Sequence, residues 1–342
     1  MLKSRTRASL IIAVLLAVAG QAHAQSPETF FKGRQLKLII GHSVGGDYDM
    51  GARLIARYLP RYLPGEPVIS VQSMLGAASV TAANFLYEAA PRDGSVIGSF
   101  SRNLPVMRAR GLRNLKADMT AFQWLGATSI PGRMCLADIR SPIKTAQDLF
   151  QRELVVAGSG AGSAVSIVPA VLNSLLGTKF RIIEGYRGLS DMFLALQRGE
   201  IEGVCLPADY VTTSQPDLLR EGKIRVLLTG EETPSKDFPD APTVYSFAST
   251  DEQKAMLRLL LSGAEFGRPY VYPPGVPAPL VATMRKAFAA AAADPALVEE
   301  ANRAKLDMTF VPPEELEKSV AALARVPKAV LERAEKIFPV TN

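Results

Sequence analysis

The sequence predicts an α/β protein of two lobes, each with a mainly parallel sheet, and a cleft between the lobes. A strand–helix–strand–helix–strand pattern runs from residue 36 to residue 100 and recurs from residue 154 to residue 206. In both copies the first strand ends in a glycine-rich turn that leads directly into a helix. Because strands that alternate with helices form parallel sheets, two separate copies of the pattern indicate two lobes.

The first copy predicts three strands and two helices. In chain order these are a strand at 36–40, a helix at about 49–63, a strand at 68–72, a helix ending near 90 and a strand at 95–100. The strands are short apolar runs bounded by turn residues, which is typical of buried strands. The first strand ends in Gly41-His42-Ser43-Val44-Gly45-Gly46, and the second leads into Leu75-Gly76-Ala77.

The second copy repeats this order. Strands at 154–157, 180–183 and 201–206 alternate with helices at 164–176 and 189–198. A glycine-serine turn at 158–163 follows the first of these strands, and Tyr186-Arg187-Gly188 follows the second.

The rest of the chain is poor in strands and ends in helices. It adds a strand at 224–229 and helices at 251–261, 280–293 and 295–305. No low-complexity segment separates independent domains. We therefore assign residues 25–133 and 231–342 to the first lobe and residues 134–230 to the second, joined by short crossovers that act as a hinge.

The N-terminus predicts export. A cationic stretch at 3–7 precedes a mostly apolar, uncharged run at 8–20, and Ala22-His23-Ala24 provides a small-x-small cleavage site. This order is typical of a secretory signal peptide, which we assign to residues 1–24, and the apolar run is shorter than the roughly 20 residues that span a bilayer. An uncleaved N-terminal anchor is the alternative.

Charge and composition argue against several classes of function. The 342-residue chain has 39 Lys plus Arg against 33 Asp plus Glu, a formal net charge of +6, and three of these cations fall in the signal peptide. The remaining excess suits a protein that attracts anions but is too small to indicate nucleic-acid binding. With one histidine after residue 24 and two distant cysteines, we expect no metal site.

The two cysteines, Cys135 and Cys205, are expected to form a disulfide, because exported proteins seldom keep two free thiols in an oxidising compartment. Closing a loop of this length stabilises a fold by about 4 kcal/mol in the chain-entropy model. Two separate buried thiols are the alternative, since the sequence does not place their Cα atoms close together.

The two glycine-rich turns form the candidate binding site. Glycine lets the backbone turn tightly with its N–H groups exposed, and the helix that follows adds unpaired donors and the positive end of its dipole. Two such turns facing each other across a cleft can hold one carboxylate without a lysine or an arginine. The alternative is that the glycines only permit close packing of strand and helix.

Two enzyme motifs are close but incomplete. Residues 41–45 fit the G-x-S-x-G pattern of a nucleophile elbow, but Ser43 has no histidine base later in the chain. Residues 158–163 resemble a dinucleotide-binding turn with Glu184 about twenty residues further on, but Ser163 stands where the third glycine belongs. We therefore expect no catalysis, with an exported serine hydrolase as the alternative.

Several short segments occur in an order and spacing typical of one protein family. They are Leu38-Ile39-Ile40 with Gly45-Gly46-x-x-Asp49, Ala90-Pro91-Arg92-Asp93-Gly94, the turn 158–163, Tyr186-Arg187-Gly188 with Asp191, Phe238-Pro239-Asp240-Ala241-Pro242-Thr243, and Pro273-Pro274-Gly275-Val276-Pro277. With these segments the chain resembles the solute-binding receptors of tripartite tricarboxylate transporters, also called Bug receptors, over essentially the whole mature chain.

The resemblance implies a type II periplasmic-binding-protein fold, a periplasmic location and a small carboxylate ligand held between the lobes, without a cofactor. It also implies a monomer that delivers its ligand to the membrane subunits of a tripartite transporter; a sensor for a signalling membrane protein is the alternative. The family's ligand-binding positions correspond to Ser43, Val44, Gly45, Gly46, Asp49, Gly76, Ala77, Ser159, Gly160, Ala161, Gly162, Ser163, Tyr186 and Arg187.

Two loops depart from the family pattern. The family has an aromatic residue and prolines ahead of its Gly-Gly pair, where this chain has Gly41-His42-Ser43-Val44. The family's Asn-Arg-Pro-Gly-Ala-Gly-Gly loop is replaced by residues 73–79, which predict a more apolar wall and a less charged ligand tail. Arg102 and Arg187 instead indicate a charged wall and a ligand with a second carboxylate, because either arginine can pair a distal carboxylate in a bidentate manner. The charge of this distal wall stays open.

Overall fold

The computed structural model describes residues 26–337 except residues 130, 131, 161, 162 and 236. The signal peptide predicted for residues 1–24 lies outside the described residues. The strands are β1 Gln35–Ile40, β2 Val68–Ser73, β3 Val96–Ser99, β4 Gln123–Thr128, β5 Arg133–Asp138, β6 Leu154–Ala157, β7 Phe180–Ile183, β8 Gly203–Pro207, β9 Ile224–Thr229, β10 Arg268–Tyr272 and β11 Phe310–Val311.

Helices connect and cover these strands. The α-helices are α1 Pro27–Phe31, α2 Asp47–Tyr58, α3 Val80–Glu88, α4 Leu104–Ala109, α5 Ala164–Leu176, α6 Leu189–Arg198, α7 Ala208–Ser214, α8 Pro216–Arg220, α9 Asp251–Leu261, α10 Ala278–Ala292, α11 Pro295–Arg303, α12 Pro313–Ala324 and α13 Lys328–Ile337. Short 3₁₀ helices lie at Leu59–Tyr62, Ala77–Ser79, Ala146–Phe150, Val244–Phe247 and Ser262–Phe266. In the part of the chain that the structure describes, no helix has the length and apolar character needed to cross a bilayer.

The first sheet has six strands in the order β11-β4-β10-β3-β1-β2. β1 pairs in parallel with β2 and β3, whereas β10 is antiparallel to β3 and β4, and β11 is antiparallel to β4. Leu36, Leu38 and Ile40 of β1 are buried in one core cluster with residues of α2 and α10. This burial is expected of a central strand whose faces are covered by helices.

The second sheet has five strands in the order β7-β6-β8-β5-β9. β6 pairs in parallel with β7 and β8, and β5 is antiparallel to β8 and β9. Residues of β5 and β8, among them Met134 and Val204, pack with α6, while Leu154 and Val156 of β6 pack in the same cluster as α5. The α/β fold with two lobes is therefore confirmed.

Each sheet is mixed because of strands that the sequence pattern did not indicate. β4, β5, β10 and β11 were missed, and all four pair in an antiparallel manner. β4 and β5 follow each other without a helix between them, and β10 and β11 lie within the helical C-terminal part of the chain. The strand–helix alternation from which the parallel strands were predicted is therefore absent at these positions.

The disulfide between Cys135 and Cys205 is present. Cys135 lies directly opposite Cys205 in the β5–β8 pair, their Cα atoms are 4.0 Å apart, and both residues are completely buried. The alternative of two separate buried thiols is therefore wrong. The bond joins two strands of the second sheet across 70 residues of sequence.

The two sheets are connected where the chain passes from β4 to β5 and from β9 to α9. β5 begins at Arg133, the last residue that the sequence analysis assigned to the first lobe. α9 lies against α5 of the second sheet, and the Gln253 side-chain amide donates to the Leu175 carbonyl at 2.8 Å. A helix from the C-terminal half of the chain thus contributes to the packing of the second lobe.

Candidate functional site

The first glycine-rich loop connects β1 to α2. It is fixed at its start by the Gly41 N–H, which donates to the Ser99 carbonyl of β3 at 2.9 Å. Gly45 has a φ of 85°, a conformation that favours glycine, and Gly46 caps α2 without a side-chain hydrogen bond. Ser43, Val44 and Gly45 are exposed. The loop therefore presents backbone to solvent at the start of a helix, as the sequence predicted.

Asp49 forms hydrogen bonds that hold this loop in place. It is only 2% exposed, and its carboxylate accepts the Gly45 N–H at 2.9 Å and the Arg53 Nε at 2.9 and 3.0 Å. The hydrogen bond from Arg53 is the main reason that the pKa of Asp49 lies below its usual range. Asp49 is thus a charged residue that holds Gly45 in place and is itself neutralised by Arg53.

An aromatic pair lies beneath the loop. The His42 ring is stacked on the Tyr48 ring with centroids 3.6 Å apart and planes 10° apart. The His42 Nδ1 is 3.5 Å from the Ser79 Oγ, and Ser79 also donates to the Gly41 carbonyl at 2.9 Å. Burial lowers the pKa of His42 to about 4, so the imidazole is neutral near pH 7.

The loop with Gly76 and Ala77 places Ser79 in this position. Gly76, Ala77, Ala78 and Ser79 all have positive φ values, of 140°, 44°, 52° and 79°. For residues other than glycine such angles cost about 1 kcal/mol or more each, and backbone strain of this kind is common at functional sites. A Cβ on Gly41 would lie 2.5 Å from the Ser79 side chain, so the two loops fit only with glycine there.

Arg102 contacts the same aromatic pair from the end of β3. Its backbone N–H and its Nε donate to the Tyr48 hydroxyl at 3.1 and 3.2 Å, and its guanidinium lies 5.7 Å from the Tyr48 ring centroid. The Tyr48 hydroxyl in turn donates to the Gly267 carbonyl at 3.4 Å. The predicted residue Arg102 is therefore joined to the first loop through Tyr48, which the sequence analysis did not single out.

The second glycine-rich loop connects β6 to α5. Two backbone hydrogen bonds hold its described part. The Gly158 N–H donates to the Ile183 carbonyl, and the Tyr186 N–H donates to the Gly158 carbonyl. The Ser163 side chain caps α5 by accepting the Ser166 N–H at 3.3 Å. The predicted site residues Ala161 and Gly162 lie outside the described residues.

The second loop already binds a carboxylate, that of Glu184. The Glu184 Oε2 accepts the Gly160 N–H at 2.6 Å and the Ser166 hydroxyl at 3.0 Å. A Cβ on Gly158 would lie 2.4 Å from this oxygen, so glycine is required for the close approach. In the sequence, Glu184 stands out only by its spacing from the turn that resembles a dinucleotide-binding motif. Its position at the start of α5 is the one expected for a bound anion.

Tyr186 and Arg187 differ in their surroundings. The Tyr186 side chain is half-buried against the apolar cluster beneath the second loop. The Arg187 side chain is 95% exposed, and its Nε is 3.9 Å from Asp191. Arg187 thus extends into solvent, whereas Arg102 is held against Tyr48.

A family model and a curated relative both match most of this chain. A family model described as the tripartite tricarboxylate transporter family receptor matches residues 52–334. A relative from Cupriavidus necator, the UPF0065 protein in the gbd 5' region, is 30% identical over 240 residues, which cover 67% of this chain and 68% of that protein.

Two solved structures show the same fold. A TctC solute-binding protein from Polaromonas has a TM-score of 0.67 at 19% identity and covers 88% of this chain and 98% of its own. MatC from Rhodopseudomonas palustris with bound malate has a TM-score of 0.56 at 22% identity and covers 89% of this chain and 99% of its own. Since the family model matches most of the sequence, the chain belongs to the tripartite tricarboxylate transporter family of solute-binding receptors.

Proposed function

We propose that the chain is an exported, monomeric periplasmic receptor that captures a small carboxylate between its two lobes and delivers it to the membrane subunits of a tripartite transporter. Membership of a receptor family supports binding without catalysis. The malate bound to MatC, a structure of the same fold, supports a carboxylate as the ligand.

The observation that carries the proposal is the start of α2. The first four N–H groups of a helix have no partner within the helix, and the helix dipole makes this end positive. Ser43 and Val44 expose the preceding backbone, and Gly46 brings no side chain to occupy the helix end. Asp49 pairs with Arg53. Asp47, the other acid of the first helical turn, lies 3.6 Å from the Arg268 guanidinium. Both negative charges are therefore balanced at the helix end that would receive an anion. This end of α2 is therefore suited to a ligand carboxylate.

The second loop supports the same chemistry. Glu184 shows that the start of α5 accommodates a carboxylate on the Gly160 N–H and the Ser166 hydroxyl. We infer that the loop formed by Ser159, Gly160, Ala161, Gly162 and Ser163 closes on the ligand from the second lobe. Gly76, Ala77, Tyr186 and Arg187 border the ligand, and Asp49 positions the first loop.

The mechanism is a shift between open and closed arrangements of the lobes. A ligand that touches both loops binds the closed arrangement better and so increases its population. Backbone donors held in place by the contacts of Gly41 and Gly45 need little reordering, which favours micromolar or tighter affinity, about −8 kcal/mol or better.

Thermal melting of the purified mature protein against a panel of small acids tests this function. A ligand that binds only the folded state raises the melting temperature according to its affinity and concentration. The panel contains dicarboxylates, tricarboxylates, acidic amino acids, fatty acids and aromatic acids, each with the corresponding amide as control. We expect a shift with at least one carboxylate class and none with its amide. If no acid of the panel raises the melting temperature of protein shown to be folded and ligand-free, the proposal is contradicted.

A further inference from the structure

Arg133 is a buried cation with no counter-ion among the described residues. It is the first residue of β5, it is 8% exposed, and its Nε has no hydrogen-bond partner. Two other arginines with buried side chains have an anionic partner. Arg268 donates to Thr128 and to the Asp307 carbonyl and lies 3.6 Å from the Asp47 carboxylate, and Arg110 lies 3.6 Å from Glu335. Among the described residues, Arg133 has no such partner.

The Arg133 guanidinium lies where the two lobes meet. A Cβ on Gly230 would lie 2.9 Å from the Arg133 Cβ, so the base of the side chain packs at the end of β9. A Cβ on Gly263 would lie 3.6 Å from an Arg133 Nη and 2.3 Å from the Asn103 Oδ1. The side chain therefore extends from the second sheet towards Asn103 of the first lobe, next in sequence to Arg102.

Two positive charges converge at this point. Burial, and to a smaller extent the nearby positive charge of Arg102, lower the pKa of Arg133 to about 10, against a small opposing effect of Tyr48. At a pKa of about 10 the guanidinium is still charged near pH 7. An unpaired buried charge is costly and is normally balanced by an ion of opposite sign. An anion that reaches the lobe junction would balance this charge.

The acidic residues nearby do not supply this anion. Arg133 borders a cavity of about 280 Å³ that is also lined by Glu231, Glu232 and Glu265. None of these carboxylates forms an ion pair with Arg133 in the described structure, and burial raises the pKa of both Glu231 and Glu265. Glu232 instead pairs with Arg258, and Glu265 accepts the Ser319 hydroxyl.

We propose that Arg133, with Arg102 beside it, binds the second acidic group of a dicarboxylate whose first carboxylate lies at the start of α2. This inference rests on the proposed receptor function and names its ligand class. The first loop lies close to Arg102, because His42 stacks on Tyr48, and the Tyr48 hydroxyl accepts hydrogen bonds from Arg102. On this proposal the distal wall of the site is positively charged. Arg102 and Arg133 supply the charge, and the solvent-exposed Arg187 does not.

Matched pairs of acids test this directly by calorimetry. Adipate is compared with hexanoate, and succinate with butyrate, so that chain length is constant and only the second carboxylate changes. We expect the wild-type protein to bind the better diacid about 30-fold or more tightly than its monoacid, since a buried charge pair is worth at least that factor. Equal affinity for diacid and monoacid overturns this inference and leaves the receptor function intact. No binding of either diacid, in folded and ligand-free protein, overturns this inference, and no melting shift with any acid of the full panel overturns the receptor function as well.

Variants then assign the effect to Arg133. Arg133→Gln should weaken the diacid about 30-fold or more and change the monoacid less than threefold. The control Arg220→Gln, on the exposed surface of α8, should change neither. Arg133→Met should also raise the melting temperature of the ligand-free protein, because it removes an unbalanced buried charge. Equal weakening of diacid and monoacid by Arg133→Gln, or no weakening at all, contradicts the assignment.

Discussion

Replacement of Gly46 by aspartate separates binding from folding. Gly46 has φ −80° and ψ 171°, which any residue adopts, and an added Cβ would lie 3.6 Å from the Ser43 carbonyl, an ordinary contact. Aspartate is a preferred N-cap, and its charge interacts favourably with the helix dipole, so α2 should gain about 0.5–1 kcal/mol. Gly46→Asp should therefore fold and melt at the same temperature as wild type or higher.

The same substitution should abolish ligand binding. The introduced carboxylate occupies the N–H groups that we assign to the ligand and lies close to the ligand's own negative charge. Two unit charges about 4 Å apart repel by about 4 kcal/mol at an effective dielectric constant of 20, and exposure to solvent reduces this value. We expect the affinity for the best carboxylate of the panel to fall at least tenfold, since each 1.4 kcal/mol changes affinity by about that factor.

Calorimetry and thermal melting on the same preparation provide the measurement. Gly46→Asn is the matched control, because asparagine also caps helices but carries no charge. Affinity should fall further for the aspartate than for the asparagine variant, and the difference should shrink as salt is added. Unchanged affinity in a folded Gly46→Asp protein refutes the assignment of the first loop to the site.

Three further predictions concern single features of the structure. Glu184→Gln should tighten carboxylate binding several-fold at low salt, because it removes a negative charge from the second loop. The control Glu153→Gln, which removes an exposed carboxylate paired with Arg181, should not. Between pH 6.5 and about 4, His42 takes up a proton in the unfolded chain but not in the folded protein. The free energy of unfolding should therefore fall by about 2–3 kcal/mol as the pH drops through this window. His42→Phe keeps a ring on Tyr48 and should make the melting temperature depend less on pH. Reduction of the Cys135–Cys205 bond should cost about 4 kcal/mol, and an unchanged melting temperature in reduced protein would contradict this.

Several helices were predictable to the residue because their ends carry local signals. α5, α6 and α9 have the predicted bounds of 164–176, 189–198 and 251–261. Ser163 caps the start of α5, and Gly177 ends it with a φ of 80°, a conformation that suits glycine. The helix predicted at 49–63 instead ends at Tyr58, and the 3₁₀ segment Leu59–Tyr62 follows with Pro60, which removes a backbone donor.

The contacts around the loops were not predictable in the same way. The glycine-rich turns are continuous in sequence, and their place between strand and helix follows from local pattern. Tyr48, Ser79 and Arg133 gain their importance from residues far away in the chain, and one sequence gives no signal for such contacts. Glu184 was visible at a suggestive spacing, but only the structure shows that its carboxylate accepts the Gly160 N–H.

The two glycine-rich loops differ in the charge that they offer a ligand, and this difference indicates an order of binding. Each loop is held by a carboxylate of the protein, Asp49 on the Gly45 N–H and Glu184 on the Gly160 N–H. Arg53 balances Asp49, and Arg268 balances the neighbouring Asp47. No ion pair of Glu184 occurs among the described residues. An anionic ligand therefore meets a neutral helix end on the first lobe and a negatively charged one on the second. We infer that the ligand binds the first lobe first, and that the lobes close only when the ligand takes over or shares the donors that Glu184 holds.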